Sequence, residues 1–324
     1  MKILYVVNGY PTLKNPQFCC FVKEQVDEVA ASGVDFELCN IEGRGILKYL
    51  RAIRSIREQA ASCDIVHAQH MLCGLATIAA GVRKRLVTSF MSDGAANLRG
   101  KSKFLGHLMF HAASALSYRC IYKSRVPKWY EHKSICLPNG VDTERFRPIG
   151  KEESCAVLNL DATLRYALFV SAGGVSGPLR AVKRHDLFRK MLSELQSMDS
   201  RWTELLITNV GRDMVPYYFG AADVLILTSD VEGSPNAVKE ALACGTAVVA
   251  RDVGDVSSLL DGIPNTMCFT LETWEQARSF LVDLPDYSPD LIRSAFMHKA
   301  LDKVTVNSRL IAFYEAMLAS IKPR

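Results

Sequence analysis

The chain has 324 residues, of which 49% are apolar and 23% are charged. This composition is too apolar for a disordered chain, and no apolar run approaches the ~20 residues of a membrane-spanning helix. The length suits two domains of ordinary size. Residues 1–148 carry 21 basic and 12 acidic side chains, a net charge of +9, whereas residues 149–324 carry 18 and 22, a net charge of −4. The two halves are therefore predicted to have different partners.

Ten cysteines occur without a Cys-x-x-Cys pair, and the amino terminus leads directly into a strand-like segment with no signal-peptide pattern. We therefore expect reduced, mostly buried thiols in a cytoplasmic protein. Cys63, His67, His70 and Cys73 have a spacing that resembles a zinc site. The strand predicted there sends alternate side chains to opposite faces, so no metal site is expected.

Apolar segments of strand length alternate with amphipathic helical segments along the chain. The predicted elements are strand 3–7, a helix that ends at Gly33, strand 36–38, helix 45–60, strands 65–66 and 86–90, then, after a loop at 138–142, strand 166–171, helix 185–197, strands 205–208 and 223–228, helix 235–244, strand 247–250 and a last helix at about 306–321. This alternation predicts two α/β domains, each with a doubly wound parallel sheet. In such sheets, ligands bind at the carboxyl ends of the strands.

The segment between the third and fourth predicted strands of the second domain carries the strongest functional signal. Ser234 is predicted to cap a helix whose first residue is Pro235. The free amides of such a helix start form an anion site suited to a phosphate. Glu232 precedes the helix and Glu240 lies in it, so that two carboxylates could hold hydroxyls at opposite ends of a polar ligand. Solvated surface acids explain this spacing equally well.

This segment, EGSPNAVKEALACGTAVVA, resembles the E-x7-E signature of retaining family 4 glycosyltransferases of the GT-B fold, among them bacterial members that build envelope or surface polysaccharides. Other segments resemble the family in its order along the chain: MKILYVVNGYP, DIVHAQH, LVTSFMSDG, PNGVDTERFRP, RAVKRHDLF, YYFGAADVLILTSD and VGDV. The resemblance implies two Rossmann-like, doubly wound domains facing a central cleft. An acceptor-binding domain would span 1–148 and a nucleotide-sugar-binding domain 149–303, with a C-terminal helix at 304–324 packing back toward the first domain.

The resemblance also implies roles for single residues. Glu240 would hold the nucleotide ribose, and Glu232 would hold hydroxyls of the donor sugar. Arg180 and Lys183 would neutralise the diphosphate as it leaves; a basic, solvated loop is the alternative for these two residues. The backbone amides that would approach the donor sugar and the diphosphate belong to Gly233, Ser234, Pro235 and Asn236.

The first domain departs from the family pattern. Asn8 and Gly9 stand after the first strand, where relatives have a glycine-rich loop, and we expect them to bind substrate. Met91 stands near the position at which relatives have a histidine that approaches the donor sugar. Asp93 is a candidate for positioning the acceptor or the sugar, and simple closure of the loop is an equal alternative.

The function that the resemblance implies is retaining transfer of a sugar from a nucleotide-diphosphate sugar to a lipid-linked or polysaccharide acceptor in envelope or surface glycan synthesis. No Asp-x-Asp triplet occurs in the chain, which agrees with transfer that needs no metal and no other cofactor. Two alternatives stay open: a nucleotide-sugar epimerase or hydrolase of the same fold, and a non-catalytic nucleotide-sugar-binding partner subunit. The sequence carries no known nucleic-acid-binding motif, so nucleic acid is not an expected partner.

The predicted helix at 45–60 is amphipathic. Its apolar face, predicted to be buried, comprises Ile46, Tyr49, Leu50, Ile53 and Ile56. Its basic face comprises Lys48, Arg51 and Arg54, with Arg57 at the border. Further basic residues of the first domain are Arg99, Lys101 and Lys103. A solvated surface is one interpretation of these charges. Attraction to anionic lipid headgroups is the other, and it predicts peripheral contact with the inner face of the plasma membrane.

Overall fold

A computed structural model describes residues 1–12, 18–91, 100–171, 181–284 and 287–321 of the chain. The chain forms two compact units. Unit 1 comprises Met1–Gly140 and Lys303–Arg324, and unit 2 comprises Val141–Asp302. The division after residue 140, rather than after the predicted residue 148, follows from backbone pairing. The amide of Val141 donates to the carbonyl of Leu301 at 2.9 Å, so the two ends of unit 2 lie side by side.

Unit 1 contains a six-stranded parallel sheet. Its elements in chain order are β1 (Lys2–Val7), α1 (Cys20–Ala31), β2 (Asp35–Asn40), α2 (Leu47–Ala60), β3 (Ile65–Ala68), α3 (Met71–Ala79), β4 (Leu86–Phe90), α4 (Gly100–Leu116), β5 (Arg119–Tyr122), a 3-10 helix (Lys128–Lys133) and β6 (Ser134–Cys136). The strand order is β2-β1-β3-β4-β5-β6, and all pairs are parallel.

Unit 2 contains a five-stranded parallel sheet. Its elements in chain order are α5 (Lys151–Leu158), β7 (Arg165–Val170), α6 (His185–Met198), β8 (Trp202–Ile207), α7 (Val215–Ala221), β9 (Val224–Leu227), α8 (Asn236–Ala243), β10 (Ala247–Arg251), α9 (Val256–Leu260), β11 (Thr266–Phe269), α10 (Trp274–Val282) and α11 (Pro289–Met297). The strand order is β11-β10-β9-β7-β8. The prediction of two doubly wound parallel sheets is confirmed.

Burial on both faces explains why the central strands of each sheet are nearly continuous apolar runs. Residues 3–7 of β1 are at most 1% exposed, and every residue of β9 is buried. Burial also explains why the sequence pattern did not predict α3. This helix packs between α2 and α4, and its sequence MLCGLATIA is apolar almost all round, so it shows no amphipathic period.

Helix α2 follows its predicted amphipathic pattern only in part. Ile56 is fully buried, but Ile46 and Leu50 are 57% and 60% exposed, so the prediction of a buried apolar face is wrong for these two residues. Lys48 is not fully solvated either, because its ammonium group donates to the carbonyl of Ile41 at 3.2 Å. Helical periodicity identifies the side on which apolar residues lie, but not how much of that side is covered.

The last helix, α12 (Lys303–Ile321), belongs to unit 1 and completes its core. The hydroxyl of Tyr314 is hydrogen-bonded to Nδ1 of His67 at 2.6 Å and lies 3.3 Å from the hydroxyl of Tyr5. Nε2 of His67 lies 2.7 Å from the hydroxyl of Ser89. Burial lowers the pKa of His67 to about 3, so the ring is neutral at pH 7. The fully buried residues of α12 are Leu310, Tyr314 and Met317.

The residues with zinc-like spacing have separate structural roles. His67 belongs to the network of Tyr314, and His70 caps α3 by accepting a hydrogen bond from the amide of Leu72 at 3.1 Å. Over the described ranges of the chain, no three His, Cys, Asp or Glu side chains are grouped to hold a metal ion. All ten cysteines are free thiols. None of the helices described above is both long enough and apolar enough to cross a bilayer.

We expect Tyr314→Phe to lower the free energy of unfolding by about 1–3 kcal/mol, because it leaves buried hydrogen-bonding groups of His67 and Tyr5 without their partner. Urea unfolding followed by circular dichroism measures the change. Tyr118→Phe is the matched control. Its hydroxyl contacts Ser320 of the same helix at 3.0 Å but in an exposed position, so the loss should stay within about 0.5 kcal/mol. Equal effects of the two substitutions would contradict the anchoring role of Tyr314.

Candidate functional site

The loops that follow four strands of unit 2 carry its main polar cluster. Lys183 follows β7, Arg212 follows β8, Glu232 follows β9 and Gly254 follows β10. Because the strands are parallel, their carboxyl ends meet at one edge of the sheet. Segments that are far apart in the sequence therefore lie together at the edge where doubly wound sheets bind ligands.

Two ion pairs join these loops. Nζ of Lys183 lies 2.5 Å from Oε1 of Glu232, and Nη2 of Arg212 lies 2.9 Å from Oε1 of Glu240. The carboxylates are the more deeply placed partners, with 16% of the Glu232 side chain and 9% of the Glu240 side chain exposed. Both pairs thus combine a nearly buried acid with a more accessible cation, an arrangement that can accept from hydroxyls and donate to phosphates.

Hydrogen bonds hold the Lys183 loop against the loop that follows β9. The hydroxyl of Thr228 donates to the carbonyls of Lys183 and Arg184, each at 2.9 Å. The amide of Asp230 donates to the carbonyl of Val182 at 2.7 Å, and the carboxylate of Asp230 pairs with Arg184. The position of the Lys183 side chain is therefore set by the neighbouring strand end.

Helix α8 begins one residue later than predicted. Pro235, with φ −68° and ψ 115°, is the N-cap, and the helix starts at Asn236. Ser234 is therefore not the capping residue, because Pro235 keeps an extended backbone between them. The first amides of the helix have no carbonyl partner within it and point toward the carboxyl edge of the sheet. At the other end Gly245, with φ +75°, follows the C-cap residue Cys244, as is common for glycine at helix ends.

The loop that follows β10 supports the Glu232–Asn236 loop through its backbone. Gly254 has φ +64°, and a Cβ atom there would lie 2.0 Å from the carbonyl oxygen of Gly233. The amide of Asp255 donates to the same oxygen at 3.1 Å. Only glycine permits this approach, so the path of the loop before α8 depends on Gly254.

Two titratable groups lie behind this loop. Lys239 is fully buried, and burial lowers its pKa to about 8, an effect that the negative charges of Asp255 and Glu240 oppose. Burial raises the pKa of Asp255 to about 6, against the opposing effects of the Ser234 hydroxyl and of Lys239. A buried charge costs free energy unless other charges or hydrogen bonds compensate it. Shifted pKa values such as those of Lys239 and Asp255 are concentrated at functional sites.

Several buried polar atoms at this edge lack protein partners. The hydroxyl of Thr208 after β8, the hydroxyl of Ser229 after β9 and Oδ1 of Asn236 have no hydrogen-bond partner in the part of the chain that the structure describes. Buried polar groups are seldom left unpaired, and their concentration here is typical of a surface that meets a polar ligand.

Comparisons with known proteins concern the family and the fold of the chain. Residues 170–279, about a third of the chain, match the model of the family described as glycosyl transferases group 1. The chain is similar in structure to sucrose-phosphate synthase from Thermosynechococcus elongatus, with a TM-score of 0.75 and 14% identity over 99% of this chain and 100% of that one. The chain has the GT-B fold.

Two other solved structures share this fold. HepE of Anabaena in complex with UDP-glucose has a TM-score of 0.69 and 14% identity over 98% of this chain and 100% of that one. The lipopolysaccharide outer core galactosyltransferase WaaB has a TM-score of 0.64 and 11% identity over 98% and 99%. At these identities, the likeness shows the fold alone. No curated protein sequence gave a significant match.

The structure brings together the predicted site residues of unit 2 that it describes. Lys183, Glu232, Glu240 and the segment 233–236 share one edge of the GT-B fold's second sheet. Arg180 and Asp93 lie outside the described residues.

Asn8 and Gly9 follow β1 of unit 1. The side-chain amide of Asn8 donates to the hydroxyl of Tyr49 at 2.9 Å. A Cβ atom on Gly9 would lie 2.6 Å from the ring of Phe18, so a larger residue would require that side chain to move. The predicted role of both residues in substrate binding stays a prediction.

Sequence reasoning missed two residues of this edge. Arg212 pairs with Glu240 across 28 positions, and Lys239 is buried beneath the loop. The rule that polar residues after parallel strands converge could have identified Arg212, because it follows β8 within a few residues. Lys239 gave no signal, since a lysine in a helix next to a glutamate is usually solvated.

We expect Gly254→Ala to destabilise unit 2 by more than 2 kcal/mol, since it adds a backbone clash to the strain of a positive φ. Gly262→Ala is the matched control, because Gly262 has φ +71° but an added Cβ meets nothing within 4 Å. This control should cost only about 1–2 kcal/mol. Urea unfolding without ligand measures the free energy of unfolding of both variants. A Gly254→Ala variant as stable as Gly262→Ala would show that the loop tolerates displacement.

Proposed function

We propose that the chain is a retaining glycosyltransferase that moves a sugar from a nucleotide-diphosphate sugar to a glycan or lipid-linked acceptor. The observation that carries the proposal is the pair of acid–cation contacts, Lys183 with Glu232 and Arg212 with Glu240, on either side of the start of α8. Carboxylates at both ends with cations and free amides nearby suit a ligand that has hydroxyls at both ends and phosphates in its middle.

The ion pairs favour a donor that offers both hydroxyls and phosphates. Lys183 and Glu232 neutralise each other as an ion pair. A donor that presents sugar hydroxyls to Glu232 and a phosphate to Lys183 replaces one ion pair with two sets of charge-assisted hydrogen bonds. A free phosphate takes only the cation and leaves the largely buried Glu232 without a partner, which costs free energy.

The proposed reaction places the developing charge where the cations lie. The bond between the anomeric carbon and the leaving phosphate oxygen breaks, and a bond from the acceptor hydroxyl oxygen to that carbon forms on the same face of the sugar. The acceptor proton passes to the leaving phosphate, so no separate general base is required. Lys183, with Arg180 as a second cation, stabilises the departing diphosphate, as do the amides at the start of α8. These groups make a divalent metal unnecessary.

We further propose that the acceptor belongs to envelope or surface glycan synthesis. The support is the resemblance of the sequence to bacterial enzymes of that kind. One of the solved structures that share the fold is a lipopolysaccharide galactosyltransferase, and another holds UDP-glucose. Asn8, Gly9 and Asp93 of unit 1 are the residues that we propose to bind substrate there.

The exposed start of α2 supports peripheral contact with an anionic membrane. Ile46, Leu47 and Leu50 are between 57% and 60% exposed, and the exposed Arg51 and Arg54 follow within the next turn. Exposed apolar side chains bordered by arginines are typical of helices that lie in the headgroup region of a bilayer. Arg57 contributes less, since its Nε donates to the carbonyl of Ala80. Of the other predicted basic residues, Lys103 is exposed, whereas Arg99 and the side chain of Lys101 lie outside the described residues.

We expect Lys183→Ala and Glu240→Ala each to lower kcat/KM about 100-fold or more, because each removes a charged group that the transition state or the ribose needs. Circular dichroism should show both variants folded. The matched control is Lys190→Ala, which removes an exposed lysine of α6 and should leave the rate unchanged. Near-normal turnover in both site variants would refute the site assignment.

Product analysis separates transfer from the other activities of this fold. The chain is incubated with UDP-, GDP- or ADP-sugars, with and without acceptors such as glucuronides and prenyl diphosphate-linked sugars. A new glycoside formed only with an acceptor, with its anomeric configuration retained, supports the proposal. Isomerised or hydrolysed sugar from donor alone would instead identify an epimerase or hydrolase. Tight nucleotide binding without any turnover would identify a binding subunit.

Liposome sedimentation tests the membrane contact. We expect Leu47→Ser and Arg51→Ser each to weaken binding to phosphatidylglycerol vesicles about fivefold at low salt, from ~1 kcal/mol per group. Leu291→Ser and Lys190→Ser are controls, since they remove equally exposed residues of unit 2. Equal binding to neutral and anionic vesicles would remove this part of the proposal.

A further inference from the structure

Arg184, the residue that follows Lys183, has a left-handed backbone. Its φ is 53° and its ψ is 52°, and α6 begins at the next residue. A residue with a Cβ atom seldom adopts this conformation, because Cβ then lies close to the following carbonyl oxygen. Such a residue keeps it only where the surrounding structure holds it. The turn that carries Lys183 therefore depends on contacts with neighbouring segments.

The loop that follows β9 supplies these contacts. The amide of Asp230 donates to the carbonyl of Val182 at 2.7 Å, and Oδ1 of Asp230 accepts a hydrogen bond from Nη1 of Arg184 at 3.3 Å. The hydroxyl of Thr228, two residues earlier, donates to the carbonyls of Lys183 and Arg184. Thr228 and Asp230 thus contact every residue from 182 to 184.

Arg251, the last residue of β10, holds both Thr228 and Asp230. Its Nη1 pairs with the same oxygen of Asp230 that Arg184 contacts, and it donates to the carbonyl of Thr228 at 3.2 Å. The side chain of Arg251 is 14% exposed, whereas that of Asp230 is 42% exposed. In the part of the chain that the structure describes, the hydrogen bonds of this guanidinium group go to Thr228 and Asp230 alone. Arg251 is therefore linked to Lys183 through two other residues.

A contribution to overall stability does not account for this arrangement. Ion pairs with a partner as exposed as Asp230 add little to the free energy of unfolding of a domain. One arginine would be enough to neutralise the carboxylate, yet two arginines from different loops share one of its oxygens. An arginine that donates to two acceptors also fixes their relative positions, because its guanidinium group is planar and rigid. Position matters at a catalytic edge, since a displacement of about 1 Å can lower a rate about 100-fold.

We propose that Arg251 is a positioning residue of the donor site. It fixes Thr228 and Asp230, and these two residues fix the turn at 182–184. The turn in its place sets the point from which the ammonium group of Lys183 meets the diphosphate of the donor. Arg251 itself does not touch the donor. The proposal rests on the transferase function proposed above and adds a residue on which that function depends.

A double-mutant cycle tests whether Arg251 acts through Lys183. Titration calorimetry on the full chain with UDP, GDP and ADP first identifies the nucleoside diphosphate that binds most tightly. We expect Arg251→Met to weaken the binding of that nucleotide about tenfold in the otherwise unaltered chain. In the Lys183→Ala variant the same substitution should weaken binding by less than about twofold, because the ammonium group that Arg251 positions is then absent.

Arg201→Met is the matched control for Arg251→Met. Arg201 also pairs with one aspartate, Asp199 at 2.8 Å, but it directly precedes β8 and so lies at the amino edge of the same sheet. This control should leave the affinity for the nucleotide unchanged. Asp230→Asn should match Arg251→Met, because it removes the charge that the two arginines share, and it takes the place of Arg251→Met if that variant does not fold.

Hydrogen exchange tests the positioning without any ligand. The amide of Asp230 is the probe of the turn, because it donates to the carbonyl of Val182. We expect Arg251→Met to raise the exchange rate of this amide about fivefold and to leave the amides of β7 unchanged, since only a local opening becomes easier. An arginine that merely stabilises unit 2 would change both sets of amides together.

The positioning role and the proposed function fail in different ways. If the unaltered chain binds no nucleoside diphosphate, the proposed function is refuted, and with it the role of Arg251 at a donor site. If a nucleotide binds, and Arg251→Met weakens it no more than Arg201→Met does, only the positioning role is refuted. An equal effect of Arg251→Met with and without Lys183 would also refute it, because Arg251 would then act on the ligand directly.

Discussion

All five strands of unit 2 run in the same direction, and the candidate site depends on this constraint. Parallel pairing brings the carboxyl end of each strand to one edge, where loops from distant segments meet. Lys183 thereby reaches Glu232 across 49 positions, and Gly254 reaches the carbonyl of Gly233. A reversed central strand would carry one of these loops to the opposite edge and separate the acids from the cations. The chemistry proposed for the site therefore depends on strand direction, because strand direction brings the acids and the cations together.

Local charge at this edge opposes the charge of its surroundings. Residues 149–324 carry a net charge of −4, yet the edge presents Lys183, Arg212 and the start of α8 to a ligand. Lys183 and Arg212 are each held by an acid that is less exposed than the cation, so the two pairs add little net charge. Overall charge therefore indicates little about a site, and the pairing within the site decides what it can bind.

Much of the fold and part of the site could be predicted from sequence. The alternation of apolar segments predicted both sheets, because buried parallel strands are continuous apolar runs. It also predicted that the segment 232–240 lies on a loop and a helix after a buried strand, as the structure has it. The ion pair of Arg212 with Glu240 and the burial of Lys239 could not be predicted, since both depend on which loops become neighbours. The helix start was displaced by one residue because Pro235 can either begin a helix or precede one. Similarly, the pattern could not show that Ile46 and Leu50 remain uncovered.

The closing role of α12 has a consequence for the order in which the chain folds during synthesis. Unit 2 is one continuous segment, so its core is complete once residues 141–302 have left the ribosome. Unit 1 begins earlier but lacks Leu310, Tyr314 and Met317 until nearly the whole chain has emerged. The contact of Tyr314 with Tyr5 spans 309 positions, and such distant contacts form slowly because a long loop must close first. The core of unit 1 is therefore completed after that of unit 2. Until then the apolar surface beside β1 and β3 stays exposed, and transiently exposed surface of this kind is what chaperones protect.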